Sequence, residues 1–183
     1  AVADGVALHY AEHDCPGEDT FADFHVSVDH PRGLRRWWRP QVRFSFDGES
    51  PFTPLPGDQG FPMLEWGMNW CLYSHLHRYV ILHAAVVERG GRALILPAPP
   101  GSGKSTLAAG LTVIDPARGD LVPVPRPVSL KNASIEVIRA FAPQARFGPV
   151  VHETTKGSVA HFSPPADAVR RSEERAQPGW IVL

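Results

Sequence analysis

The residues best suited to chemistry form one glycine-rich loop, Ala98-Pro-Pro-Gly-Ser-Gly-Lys-Ser105. Its spacing matches a Walker A phosphate-binding loop, G-x-x-x-x-G-K-[ST], with alanine in the first glycine position. The backbone N–H groups of such a loop point into one concavity, which holds nucleotide phosphates. We expect Lys104 to reach the β- and γ-phosphates and the Ser105 hydroxyl to ligate Mg²⁺. The loop therefore predicts a site for ATP with Mg²⁺, although no base-recognition motif separates ATP from GTP.

The first half of this loop departs from the usual pattern. Pro99 and Pro100 have fixed φ angles and no N–H group to offer a phosphate. Ala98 carries a Cβ where the common loop has the freedom of glycine. The phosphate contacts are therefore expected from the six residues that follow, Gly101, Ser102, Gly103, Lys104, Ser105 and Thr106.

The elements around the loop have the order that phosphate binding requires. Residues 93–96 have the character of a buried strand, and residues 105–111 that of a helix start, whose free N–H groups favour an anion. Residues 80–87 form another apolar run, and Gly90-Gly91 lies between the two runs. The sequence thus predicts an antiparallel hairpin that leads into the loop.

The segment after the loop is short. Only about two helical turns fit before the strand predicted at residues 112–115, whereas a crossover to a parallel strand takes about a dozen residues or more. Either this strand does not occupy the crossover position, or residues are missing between Leu111 and Thr112. Asp115 has the look of a metal-binding acid at a strand end, but it fits better in the turn of a hairpin with residues 121–124.

The rest of the chain predicts short strands and two helices. Alternating patterns predict a small antiparallel sheet from residues 24–28 and 41–46, after a short strand and loop in residues 1–20. An apolar stripe predicts a helix over 63–79, and Asn132 or Ser134 would cap a second helix at 134–141. Strands are also expected within 148–162 and at 180–183.

These elements predict an α/β fold with α+β character and a mixed sheet. We expect an N-terminal β-rich extension, residues 1–58, followed by a P-loop domain, residues 59–183. One continuous domain is the alternative, since 183 residues fit within a single domain.

Composition limits the partners and the compartment. The formal net charge is −1, from 18 basic and 19 acidic residues, so nucleic-acid binding has no electrostatic support. The basic cluster from Arg32 to Arg43 is interrupted by Trp37-Trp38, where a strand edge is favoured over a nucleic-acid stacking surface. No signal peptide or membrane span is visible. We therefore expect a cytoplasmic protein with neither nucleic-acid nor membrane partners.

The cysteines and histidines predict no further metal site. Cys15 and Cys71 lie in unrelated contexts and give no disulfide framework. His9 and His13 share the i,i+4 spacing of a helix face, but nothing near them completes a zinc site.

Several segments resemble the HPr-kinase-related proteins, in particular the group called HprK-related kinase A. The resemblance covers roughly residues 20–183 and is most specific at the loop and in the strand before it. It implies the fold of the bacterial HPr serine kinase/phosphorylases and, more distantly, of the ATP-dependent PEP carboxykinases. Homo-oligomers are also implied, since the HPr kinases form hexamers. The segments are Phe61-Pro-Met-Leu-Glu-Trp-Gly, Ile81-Leu-His-Ala-Ala-Val-Val, Leu94-Ile-Leu-Pro-Ala-Pro-Pro-Gly-Ser-Gly-Lys-Ser-Thr, Pro125-Arg-Pro-Val-Ser-Leu-Lys-Asn and Thr155-Lys-Gly-Ser-Val-Ala-His-Phe-Ser-Pro-Pro.

The resemblance also implies roles for individual residues. Residues 101–106 match the family's phosphate loop, with Lys104 as its phosphate lysine and Ser105 as its Mg²⁺ ligand. His83 matches a histidine that lies near the phosphates in these relatives, and is implied as a catalytic residue together with Lys104. A core histidine on a buried strand is the other interpretation of His83. The relatives' acidic segment, which supplies the general base, has no counterpart after the loop here.

Three functions, one of them a simple ATPase, follow from these features. The first is an ATP-dependent phosphotransferase that acts on a hydroxyl or carboxylate of an unidentified protein, peptide or small molecule. The second is a non-catalytic nucleotide-binding module that regulates a partner. Arg126 and Lys156 lie in polar breaks where they could hold the γ-phosphate or the acceptor, or could be solvated surface charges.

Overall fold

The chain forms a mixed α/β structure with small sheets and few helices, as the sequence predicts at this level. The computed structural model describes residues 2–15, 17, 19–81, 84–97 and 111–182. Two compact units are present, one comprising residues 1–8 and 14–76 and the other residues 9–13 and 77–183.

The first unit contains the predicted antiparallel sheet. Strand β2 (Gln41–Phe46) pairs with β1 (Val26–Asp29) on one side and with β3 (Leu55–Pro56) on the other. Alternation along β2 turns Val42 and Phe44 inward, where they are buried.

Helix α3 (Gly60–His75) follows a single 3₁₀ turn, Gly57–Gln59, and supplies Met63 and Cys71 to the same core. A Cβ built on Gly67 would lie 2.3 Å from Cε2 of Phe44, so the helix and the ring meet where only glycine fits. The helix ends before the predicted residue 79 because Leu76 leaves helical geometry, with φ −86° and ψ 62°. The division expected between residues 58 and 59 stays a prediction, although α3 belongs to the first unit.

Two sequence-based predictions for this region are wrong. Residues 2–9 form helix α1 (Val2–His9) and not a strand, with Asp4 in the first turn, where a carboxylate suits the helix dipole. Trp37 and Trp38 end a one-turn helix, α2 (Arg35–Trp38), and do not lie on a strand edge. Both helices are short, so too few residues repeat for a 3.6-residue period to emerge.

The second unit contains the predicted hairpin, but residues 80–81, which the sequence predicts in its first strand, pair with residues 113–114 in another sheet. Strands β5 (Ala84–Arg89) and β6 (Arg92–Pro97) are antiparallel. Gly90 and Gly91 connect them with φ angles of 62° and 77°, as a two-residue hairpin turn of this kind requires. Strand β12 (Gln177–Ile181) pairs with β6 in parallel, so this sheet is mixed, as predicted.

The strand after the loop lies in another sheet of the second unit. Strand β7 (Leu111–Asp115) pairs with β4 (Val80–Ile81) and with β8 (Asp120–Val124), both antiparallel. Among the described residues, β7 forms no ladder with β6. This finding agrees with the first of the two alternatives, in which the strand does not occupy a crossover position.

A third sheet in this unit has the order β10 (Val151–Thr154), β11 (Gly157–Phe162) and β9 (Val128–Lys131). Helix α4 (Ala133–Phe141) covers one face, and helix α5 (Ala166–Arg170) follows β11. The core between α4 and the sheet consists of Leu130, Ile135, Ile138, Ala160 and Phe162.

The predicted side-chain cap of α4 is wrong. Asn132 precedes the helix at φ 50° and makes no capping bond; its Oδ1 accepts a hydrogen bond from Ser158 N (3.1 Å). The Ser134 hydroxyl accepts from Lys131 N (2.9 Å) and donates to Lys131 O (2.7 Å). Both polar side chains therefore hold the turn that leads from β9 into the helix.

Within the described ranges, no helix has the length and apolar character needed to cross a membrane.

Candidate functional site

The predicted nucleotide-binding residues, Gly101 to Thr106 with Lys104 and Ser105 among them, lie outside the described residues, and so does His83. The structure describes their flanks. Strand β6 ends at Pro97, and β7 begins at Leu111.

One face of the β10-β11-β9 sheet carries several polar side chains that could take part in chemistry. Because Ala160 and Phe162 pack against α4, the pleat sends His161 to the opposite face. His161 is only 3% exposed, and the strand register sets it opposite Ser129. The Ser129 Oγ is buried and has no hydrogen-bond partner in the described part of the chain.

A second histidine lies beside His161. The His9 ring centroid is 6.4 Å from that of His161, with the planes inclined at 68°, and His9 Nδ1 is 3.0 Å from Ser163 Oγ. A Cβ on Gly148 would lie 2.6 Å from His9 Nε2, so the imidazole is tightly enclosed.

Both imidazoles are held in the neutral form. Burial, helped by the charge of Arg146, lowers the pKa of His9 from 6.5 to about 4. Burial also lowers the pKa of His161 to about 3, with further contributions from the charges of His9, Arg126 and Lys156.

The structure brings Arg126 and Lys156, both singled out in the sequence, close enough to His161 to affect its protonation. Arg126 is 9% exposed, which excludes a solvated surface charge for this residue. Lys156 lies exposed in the turn between β10 and β11, and partial burial of its ammonium group, together with the charge of Lys131, lowers its pKa. Positive charges gathered beside a buried face suit an anion such as a phosphate and repel a metal cation.

Asp115 belongs to the turn between β7 and β8, as the sequence predicts. Its Oδ1 accepts a hydrogen bond from Ala117 N (3.0 Å), and its Oδ2 accepts one from Arg175 Nη1 (2.9 Å). These donors lower the pKa of the Asp115 carboxyl, with Arg175 contributing most. Arg175 also pairs with Asp120 (2.9 Å). Asp115 is therefore part of a structural group of ion pairs centred on Arg175.

The side chains of His9 and His13 contact different groups, although their spacing would place them on one face of a helix. His13 Nε2 donates to the carbonyl of Pro125 (2.8 Å), while His9 faces Ser163. In the ranges that the structure covers, no three or more histidine, cysteine or carboxylate side chains gather around one point.

Sequence reasoning missed the enclosure of His9 and the place of His161. A signal for His161 was available, since the period of two in residues 157–162 sets it apart from its apolar neighbours Ala160 and Phe162. No local signal could have brought His9 next to it, because the two are far apart in the chain.

No protein-family model, curated protein or solved structure matches this chain.

Proposed function

We propose that this protein is an ATP-dependent phosphotransferase of the HPr-kinase-related type. It would transfer the γ-phosphate to a hydroxyl or carboxylate of a protein, peptide or small molecule in the cytoplasm. The observation that carries the proposal is the sequence Gly101-Ser-Gly-Lys-Ser-Thr106, which is separated by three residues from Pro97, the end of strand β6 in a mixed sheet. A strand that leads into a glycine-rich loop with lysine and serine is the context that phosphate binding requires.

The proposal also assigns a role to the basic groups near His161. Phosphoryl transfer needs alignment of donor and acceptor, and positive charge to stabilise the transferring group. Lys104 and Mg²⁺ on Ser105 would supply part of that charge. Arg126 and Lys156 would hold the acceptor or the γ-phosphate, the role for which the sequence singles them out. His83 would act near the phosphates, as the resemblance implies.

The general base is the open part of this mechanism. Asp115 is engaged by Arg175 and by the turn backbone, so it is a poor candidate. A chain without such a base would bind nucleotide and transfer little phosphate. This is the alternative function, a non-catalytic regulatory module.

The test uses γ-labelled ATP with Mg²⁺ and candidate acceptors. Transfer that disappears in Lys104→Ala, but persists in the matched surface variant Arg118→Ala, would support the phosphotransferase. Arg118 lies exposed in the turn after β7. Calorimetric binding of ATP without transfer would favour the regulatory module. Absence of binding heat with Mg²⁺ and either ATP or GTP, on folded protein, would refute both functions.

A further inference from the structure

The connection between β1 and β2, residues 30–40, is here called the arginine–tryptophan loop. Its base is held in several ways. His30 Nδ1 donates to the carbonyl of Gln41 (2.7 Å), and Arg43 donates two hydrogen bonds to Asp29 (3.1 and 3.0 Å). Gly57 N donates to the carbonyl of Pro40 (2.8 Å) at the end of the loop. Both ends of the loop are therefore fixed to the sheet.

The tip of this loop is apolar and highly exposed. Leu34 is 88% exposed, Trp37 77% and Trp38 86%. Scattered exposed apolar residues are ordinary on protein surfaces, but three large ones within five consecutive positions form a patch.

The same loop carries strong positive charge. Four arginines occur in eight positions, and the sequence has no acidic residue between Asp29 and Asp47. The whole chain has a net charge of −1, so this charge is a local feature. The arginines are Arg32, Arg35, Arg36 and Arg39.

The exposure of the tip indicates the kind of surface that it fits. Side chains as exposed as these have few protein atoms around them, so they do not enclose a ligand. They can instead enter a deformable surface, such as the headgroup region of a lipid bilayer. Tryptophan favours that region because its ring is apolar and its N–H is polar, and arginine binds the anionic headgroups there.

We propose that the arginine–tryptophan loop docks this protein onto anionic lipid membranes, with Leu34, Trp37 and Trp38 inserted at the interface. The expectation of no membrane partner concerned spans and leader peptides, and a loop that binds at the surface needs neither. This docking is independent of nucleotide binding.

The test is co-sedimentation of the full chain with two kinds of vesicle. One kind is phosphatidylcholine alone, and the other contains about 30 mol% phosphatidylserine, an anionic lipid. We expect binding to the anionic vesicles, with a blue shift of tryptophan fluorescence and weaker binding at high salt. Replacing Arg39 by Gln should weaken binding about fivefold. The double variant Trp37→Ser/Trp38→Ser should weaken it at least about tenfold, since burial of two large apolar side chains is lost.

Trp180→Ser is the matched control, because Trp180 is a 59% exposed tryptophan on β12 of the second unit. It should bind vesicles as the unchanged chain does. Circular dichroism and thermal melting confirm that each variant is folded. The proposal is overturned by equal binding to both vesicle types, by absence of binding, or by full binding of the double variant. Tighter binding to a single-stranded oligonucleotide than to the anionic vesicles would also overturn it, because that result indicates a nucleic-acid surface.

Discussion

The two buried histidines predict how the stability of the protein depends on pH. In the unfolded chain each imidazole takes up a proton near its ordinary pKa of 6.5. In the folded chain His9 stays neutral down to about pH 4 and His161 down to about pH 3. Below pH 6.5 the unfolded state therefore binds more protons than the folded state, so stability falls as the pH falls. Above pH 6.5 the pair contributes no pH dependence.

The size of the effect follows from the two pKa values. For each pH unit in which only the unfolded state binds the proton, the free energy of unfolding falls by about 1.4 kcal/mol per histidine. From pH 6.5 to 4.5, each histidine accounts for a loss of about 2–3 kcal/mol, and the pair for at most about 5 kcal/mol. This is a large part of the total stability of about 5–15 kcal/mol that is typical of proteins.

The assay is urea unfolding, followed by circular dichroism at several pH values between 7.5 and 4.5. Ion-paired carboxylates such as Glu88 also lose stabilisation as the pH falls, because backbone and arginine donors lower their pKa. The informative quantity is therefore the difference in slope between the unchanged chain and the double variant His9→Gln/His161→Gln. The variant should have a much flatter profile. His25→Gln, at an exposed position, is the matched control and should keep the original slope. Parallel profiles for the double variant and the unchanged chain would refute the reasoning.

Three other predictions follow from individual contacts. Gly67→Ala should lower the free energy of unfolding by about 1–2 kcal/mol. The energetic cost of overpacking against Phe44 exceeds the gain in helix propensity of about 1 kcal/mol. An unchanged or raised melting temperature would contradict this prediction. Leu130 lies in the fully buried core under α4, so Leu130→Ala should lower the free energy of unfolding in urea by about 2–5 kcal/mol. Phe141 is 84% exposed, so Phe141→Ala should change that free energy by less than about 0.5 kcal/mol. Asp115→Asn should leave phosphate transfer within about twofold of its original rate, and a loss of about a hundredfold or more would instead identify this residue as the general base.

Much of the fold follows from local sequence. The hairpin of β5 and β6 was predictable because two apolar runs flank Gly90-Gly91, and only residues without a Cβ adopt positive φ angles at both turn positions easily. Helix α3 was predictable from its apolar stripe. In contrast, α1 spans only eight residues and contains Gly5, so its helical signal is weak.

The candidate site was predictable only in part. Arg126 and Lys156 could be singled out as charges between apolar segments. Lys156 lies only five positions from His161, directly before β11. The proximity of Arg126 to His161 instead depends on the register of β9 against β11, which sets Ser129 opposite His161, about 30 positions apart in the chain. The pairing of His9 with Ser163 spans 154 positions and has no local signal.

The parallel pairing of β12 with β6 has a consequence for how the protein is made. Gln177 N donates to Gly91 O (2.8 Å), and Val182 N donates to Ile95 O (3.0 Å). Strand β6, which precedes the glycine-rich loop, therefore gains its second neighbouring strand from residues that are synthesised some 85 positions later. During translation β6 can pair with β5 as soon as both strands have left the ribosome. The other edge of β6 stays unpaired until nearly all of the second unit has been synthesised. Nascent chains that end before residue 177 expose that edge, and the support of the loop is completed late in biosynthesis.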